Sequence, residues 1–488
     1  MKKKLVLAIF VLILGVSLRA QSFSQGDKSR KFDCLMAANT QFVGEDANSI
    51  YLITRWTSSI FGKYNDKDLQ VMAVDRDMKE QRSFVLQDTK DHDLVAVSWE
   101  EGKFFVLVES LEDKQLLLYR YVIDAATMKP LRDPERIMAM AQPHQAEAFS
   151  WGTWSENHRF FGYIATVVDQ KSYVMEQRLF DSQLRPLWTK NYDCNNISQI
   201  AVTDEGTIAT MGVRREGQSM LFEFHQISDQ ANIRHEAQYN RFVNPAVVRL
   251  IHYSNGIFLM GGIVSSSESS ADEKLFDRYF AMAYNTRTEQ LTGQERSFSL
   301  EEVNVFKNER IAKRQKRLAA DALLIQGVQP TSYGGVFAIQ RKYYVVSMGD
   351  FGNEKYTYHS TGVLAVGVDT MGHIVWHQPI RSGLEGDNYT QSVAIESFVE
   401  KDHYYLLQSE SRKYPSVYET ETVLKPVTAQ SGAKAVGCYT INPDGRISKQ
   451  LFPLNESGML MPNLEKIGSK RYCTISEDAR SSLLTIQF

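Results

Sequence analysis

Short apolar runs alternating with polar positions recur along the whole chain, and they come in pairs separated by a tight turn. "LVAVSWEEGKFFVLVES" sets two such runs around Glu101-Gly102, "QIAVTDEGTIATMGV" around Glu205-Gly206 and "VRLIHYSNGIFLMGGI" around Asn255-Gly256. Asn-Gly between β-prone runs is the strongest short hairpin signal, because both central residues must accept positive φ. "FVGEDANSIYLITRW", "FSWGTWSENHRFFGYIA", "TSYGGVFAIQRKYYVV", "ESFVEKDHYYLLQS" and "LEKIGSKRYCTIS" repeat the design more loosely, making eight hairpins of one kind.

A second kind lies between them. "GVLAVGVDTMGHIVWHQPI" predicts a strand, a turn from Asp369 to Gly372 and a returning strand. In "YVMEQRLFDSQLRPLWTKNY" Asp181 precedes Trp188 by seven residues, as Asp369 precedes Trp376. "AVGCYTINPDGRISKQLF" places Ile447 at the offset of Ile374, and four looser copies bring the second kind to seven. The two kinds alternate, giving units of four antiparallel strands, A to D. Units of roughly 45 to 80 residues fit propeller blades with loop insertions. The last unit ends in "SSLLTIQF", and "RKFDCLMA" near the other end is assigned as its missing strand. Closing a ring with strands from both ends removes an exposed sheet edge. The expected fold is all-β: a β-propeller of eight four-stranded antiparallel blades over 30–488, with seven blades as the alternative and one helical insert.

His373 and His377 flank Trp376 at a spacing of four. On a helix they would share a face and could share zinc. On a strand four residues span about 13 Å, too far for one metal ion. Ile374 and Trp376 are expected to face the core together.

Lys2 to Lys4, an apolar run from Leu5 to about Val16 and a small residue at Ala20 have the form of a secretory leader, followed by a linker at 21–29. Removing residues 1–20 takes away four positive charges. The 55 basic residues become 51 against 58 acidic ones, a net charge of −7. That balance argues against a nucleic-acid partner. No second apolar stretch is long enough to cross a bilayer. Cys34, Cys194, Cys438 and Cys473 are widely scattered, without Cys-x-x-Cys spacing, so disulfide pairing and buried free thiols both stay open.

The Asp-x-x-Gly-x-Ile-x-Trp stretch at 369–376 resembles repeats of exported bacterial β-propellers. More distantly it is similar to the quinoprotein-type repeat, whose Asp, Gly and Trp dock neighbouring blades. The Thr-Gly pair of that second pattern is absent, its spacing is one residue longer, and only two of seven copies here keep the tryptophan. The resemblance therefore implies a propeller and no quinone cofactor.

In such a fold the A–B and C–D turns share one face, and the B–C and D–A connections share the other. The second set holds the long segments 57–68, 130–146, 264–278, 299–330, 348–361, 381–395 and 410–432, and long loops on a rigid scaffold usually carry binding. Glu301 to Ile325 predicts a helix with Ile311, Leu318, Ala322 and Ile325 on one stripe. Lys307, Arg310, Lys313, Arg314 and Arg317 fall on another, a candidate contact for an anionic partner or an ordinary solvated face. Tyr356 and Tyr358, Asp387 and Tyr389, and Arg412, Tyr414 and Tyr418 complete the candidate binding set, since aromatics beside polar groups suit glycan or peptide surfaces. No nucleophile elbow, zinc-protease, dinucleotide or phosphate-loop motif is present, so no cofactor is expected. "DRD" at 75–77, "DHD" at 91–93 and "NPDG" at 442–445 are only fragments of calcium-loop spacing. The expected function is non-enzymatic binding of an envelope or surface protein, or of a glycan, after export in a Gram-negative cell. The alternative is a carbohydrate-active enzyme with carboxylates from several blades meeting at the ring mouth.

Overall fold

A computed structural model describes residues 22–25, 40–60, 63–141, 147–168, 173–192, 197–216, 219–239, 246–264, 276–306, 322–348, 354–387, 395–410, 427–428, 435–454, 459–460, 464–466, 471–477 and 481–487. Among these residues the strands form eight sheets, antiparallel except where the short strand Val427–Thr428 adds in parallel to the outer strand of the sixth blade. Seven sheets take strands A to D in chain order. They are blade 1 (Gln41–Glu45, Ile50–Ile60, Lys63–Val74, Glu80–Val85), blade 2 (Asp93–Glu100, Lys103–Glu112, Gln115–Asp124, Glu135–Ala141) and blade 3 (Glu147–Trp154, Phe160–Val168, Tyr173–Asp181, Pro186–Tyr192). Blade 4 (Ile197–Val202, Ile208–Glu216, Ser219–Ile227, Asn232–Tyr239) and blade 5 (Ala246–Ser254, Ile257–Val264, Arg278–Asn285, Gln290–Ser297) follow. Blade 6 (Leu323–Thr331, Gly334–Met348, Glu354–Asp369, Ile374–Asp387) and blade 7 (Ile395–Glu400, His403–Glu410, Ala435–Ile441, Ile447–Pro453) complete the series. The protein is a β-propeller, with the seven contiguous blades of the alternative count.

The remaining sheet joins the two ends of the chain. Arg471–Glu477 pairs with Ser481–Gln487, which pairs in turn with Ser22–Gln25. The closing strand thus comes from 22–25, inside the stretch expected to be a linker; the assigned "RKFDCLMA" lies outside the described residues.

Each blade buries both faces of its B and C strands against its neighbours, so these strands read as continuous apolar runs. The seam between blades 4 and 5 packs Phe222, Phe224, Phe258, Phe280 and Tyr284, and Phe224 stacks on Tyr284 at 4.6 Å. Outer D strands are half polar, as the exposed pattern of Asn232–Tyr239 shows.

The C–D turn is built alike in several blades. Asp75, Asp181 and Asp369 each accept, through Oδ1, the N–H groups two and four residues on, at 2.8–3.0 Å. The fourth turn residue is left-handed: Met78 (φ 58°), Leu184 (φ 55°), Gly372 (φ 78°) and Gly445 (φ 81°). Four C–D turn tips, those of blades 2, 3, 6 and 7, are gripped by the preceding blade. Arg82 donates to Ala126 O at 3.1 Å, Arg120 to Gln183 O at 2.9 Å, Thr292 to Met371 O at 2.8 Å and Gln378 to Gly445 O at 2.7 Å.

Ile374 and Trp376 do not share a face. Gly367 pairs with Trp376 and Val368 with Ile374, so Val375 is an extra, bulged residue and is 48% exposed. The bulge turns Ile374 toward the core between blades 5 and 6 and Trp376 toward blade 7. Leu187 occupies the same bulge beside Trp188 in blade 3.

The long-loop face contains more strand than expected. Residues 57–60 and 63–68 are hairpin, 135–141 is a D strand, and blade 6 carries strands of 15, 16 and 14 residues that absorb much of 348–361 and 381–395. The expected helix Glu301–Ile325 is corrected too. Helix α1 spans Leu300–Phe306, and Leu323 and Ile325 belong to the A strand of blade 6, both buried in the seam with blade 5. A capping box sets its start: Ser299 Oγ accepts from Glu302 N at 3.2 Å, and Glu302 Oε2 accepts from Ser299 N at 2.5 Å.

Candidate functional site

The A strands surround the axis, and five of the seven carry a bulge, after Phe42, Leu94, Ile197, Leu250 and Gln326. A bulge adds a residue on one side of the ladder and sharpens the bend of its strand. They frame a cavity of about 1390 Å³, bounded by the inner strands of blades 1 to 6, the A–B turn of blade 3 and Lys466.

Aromatic faces dominate one wall. Trp99 stacks on Tyr51 at 5.3 Å, Trp154 on His158 at 5.7 Å, and the Arg159 guanidinium lies 5.7 Å over Phe160. Gln41, Gln199 and Gln329 add amide groups around the lining. His158 holds a left-handed backbone (φ 56°) at the tip of the Ser155–Arg159 turn, an uncommon conformation for a residue with a β-carbon. His158 N donates to Ser155 O and Asn157 N donates to Asp204 Oδ1 at 3.0 Å, which fix this turn against blade 4.

Most carboxylates at this mouth are already committed. Asp402 accepts from Ser332 N and Oγ at 2.6 Å each, Glu400 from Lys466 Nζ at 2.9 Å, Asp181 from Arg185 Nε at 2.7 Å and Glu100 from Ser182 Oγ at 3.0 Å. Glu156 stands apart. Burial, with the Asp204 charge beside it, pushes its carboxyl above the ordinary range, while Lys466 opposes the shift. Burial and the Lys466 ammonium lower His158, and burial lowers His252, with Asp204 opposing both.

Of the residues predicted to bind, Lys307, Arg310, Lys313, Arg314, Arg317, Tyr389, Arg412, Tyr414 and Tyr418 lie outside the described residues. Tyr356 and Tyr358 sit on the C strand of blade 6, opposite Val346 and Tyr344, and Asp387 ends the D strand opposite Thr357. The backbone therefore gathers these three on one extended ribbon rather than on separate loops. Cys34 and Cys194 lie outside the described residues; Cys438 is a buried free thiol.

The calcium-like fragments have other partners. Asp75 and Asp444 serve their own turns, and around Asp91–Asp93 the Arg55 guanidinium grips the carbonyls of Thr89, Lys90 and His92. His373 Nδ1 lies 3.1 Å from Asp369, whereas His377 Nδ1 lies 2.9 Å from Glu302. The two histidines serve different carboxylates.

No family model matches the chain, and no curated protein does. Among solved structures it is similar to the Dos1 propeller (7% identity, 95% of each chain, TM-score 0.42) and to the WD40 domain of SCAP from fission yeast (6% identity, 96% of this chain and 97% of that one, TM-score 0.36). It is also similar to the polysaccharide lyase Uly1, at 8% identity over 80% of this chain and 89% of that one, with a TM-score of 0.34.

Proposed function

We propose that this chain is an exported, non-enzymatic binding protein whose central cavity receives a glycan of the cell envelope or surface. The observation that carries this reading is the pairing of aromatic faces with spent acids. Trp99, Trp154 and Phe160 offer flat apolar area beside amide groups, the combination that suits sugar rings. Glycoside hydrolysis needs two carboxyl groups free to act on one bond, and the neighbouring carboxylates are engaged by protein donors. The test is a glycan-array and calorimetric screen of the chain beginning at residue 21. Trp154→Ala is expected to weaken any hit at least tenfold; unchanged affinity would refute the site.

A second reading is a carbohydrate-active enzyme, favoured by Glu156, whose carboxyl is raised, two residues from His158, whose imidazole is lowered. Product release that stops in Glu156→Gln, with glycan affinity retained, would establish it instead. Export itself is tested by sequencing the N-terminus of the protein from an envelope fraction, where Gln21 is the expected first residue. The basic residues from Lys307 to Arg317 are a separate candidate contact. Reversing Lys313, Arg314 and Arg317 together should abolish capture of a surface partner if they dock one.

A further inference from the structure

We propose that the seam between blades 3 and 4 holds an ordered, fully buried water molecule between Thr166, Gln177 and Thr210. Among the described residues the buried apolar part of this seam is small: Ile164, Met175, Leu179, Val202 and Ile208, five residues, against fourteen in each adjoining seam. Trp151, Phe160, Trp188 and Ile200 pack against its rim, and Thr166, Gln177 and Thr210 are buried polar residues in these blades.

Their levels follow from register. A β-carbon on Gly162 would stand 2.5 Å from Val202 and 3.2 Å from Ile208, so these residues meet across the seam. Two residues along each B strand come Ile164, paired with Gln177, and Thr210, paired with His225. Thr166 follows on the same face as Ile164. Thr166, Gln177 and Thr210 are each 0% exposed. Among the described residues, Thr166 Oγ1, Gln177 Oε1 and Thr210 Oγ1 have no hydrogen-bond partner. Gln177 Nε2 has only the weak acceptor Met175 Sδ, at 3.6 Å, so turning the amide over would orphan its other end.

Three orphaned polar atoms at adjacent levels of one sealed seam are not a chance scatter, because buried polar groups in native proteins are nearly all bonded. Two hydroxyls and a carbonyl oxygen call for a partner that both donates and accepts. A cation is disfavoured: the nearby carboxylate of Glu223 is already held by His225 at 2.8 Å and Arg234 at 3.1 Å. Water meets the requirement, and a buried water typically makes about three hydrogen bonds.

A crystal structure at about 1.8 Å or better should show a single peak within hydrogen-bond distance of at least two of these atoms; continuous protein density with no peak overturns the proposal. In solution, oxygen-17 relaxation dispersion should count one fewer long-lived water in Thr166→Val/Thr210→Val, with a melting midpoint lower by roughly 1–3 °C. Thr166→Ser/Thr210→Ser keeps both hydroxyls and should retain that water. An unchanged count, or a raised midpoint in the valine variant, overturns the proposal, since removing hydroxyls that truly lack partners would stabilise the seam.

Discussion

Trp376 is wedged between two glycines, and this predicts a specific non-additivity. A β-carbon on Gly367 would stand 2.2 Å from Trp376 Cε2 and 2.4 Å from Nε1, where carbon contacts prefer about 3.5–4.0 Å. The ring would have to move by about 1.5 Å. It has no room behind it, because a β-carbon on Gly445 of the next blade would already lie 2.6 Å from Trp376 Cβ. Gly367→Ala should therefore cost about 1–3 kcal/mol by overpacking. Trp376→Ala empties a site that is 6% exposed and should cost about 3–5 kcal/mol. In the double variant the new methyl enters the emptied space, so the clash disappears. Its cost should fall short of the sum by about 1–3 kcal/mol. Urea unfolding of the four proteins, with equal m-values as the control, measures this coupling. A double variant as unstable as the sum would refute the wedge.

Three further outcomes follow from buried groups. Burial opposes ionisation of Glu302, which is 1% exposed, but bonds from His377, Ser299 and Tyr279 outweigh it and hold the carboxyl at about 2. Its contribution is complete above the ordinary carboxylate range and is lost as pH falls through about 2, so a plot of melting midpoint against pH should be flatter between pH 5 and 2 in Glu302→Gln. Equal slopes would remove that assignment. Burial raises the Cys438 thiol to about 12, with Thr440 opposing; the peptide carrying it should resist a thiol reagent at pH 8 and label fully in urea, as peptide mass spectrometry would show. Arg120→Met should cost about 1.5–3 kcal/mol through its bonds to Gln183 O and speed amide exchange at Gln183–Arg185, with little change on blade 5.

The ring was legible because each blade repeats a local rule. Strands are read from short apolar runs, and several turns from an Asp with a left-handed position three residues later, as at Asp75, Asp181 and Asp369, and neither needs knowledge of distant contacts. The errors arose where that rule has no purchase. "YYVVSM" and "KYTYHS" form a ribbon beyond the ring, with Tyr344, Val345 and Val346 all about half exposed, so no inside-outside alternation marks them as strands. The apparent stripe of the 301–325 helix used Ile325, whose burial is due to its place on an A strand. Val375 shows how one bulged residue reverses every assignment of face beyond it. The cavity was missed for another reason: its walls come from strands of six blades, each contributing a few residues, and no local motif records their meeting. The one local signal was "SENHR", whose histidine occupies a turn position that usually favours glycine or asparagine.

The side chains that grip the C–D turns have a consequence for how such a ring changes over time. At four joints the hand that reaches across is different: Arg82, Arg120, Thr292 and Gln378. Three of them hold the carbonyl two residues after the Asp that opens the turn, at Ala126, Gln183 and Met371, and the fourth holds Gly445, three after Asn442. A blade therefore carries an address for its neighbour as well as a shape. Lifting one blade out, or exchanging two, would strand a cationic or amide donor in a seam cut for something else, although every blade follows the same plan. Units that began as copies would be fixed in order by such mismatches, and a library of shuffled blades should fold only where the matching grip travels with its turn.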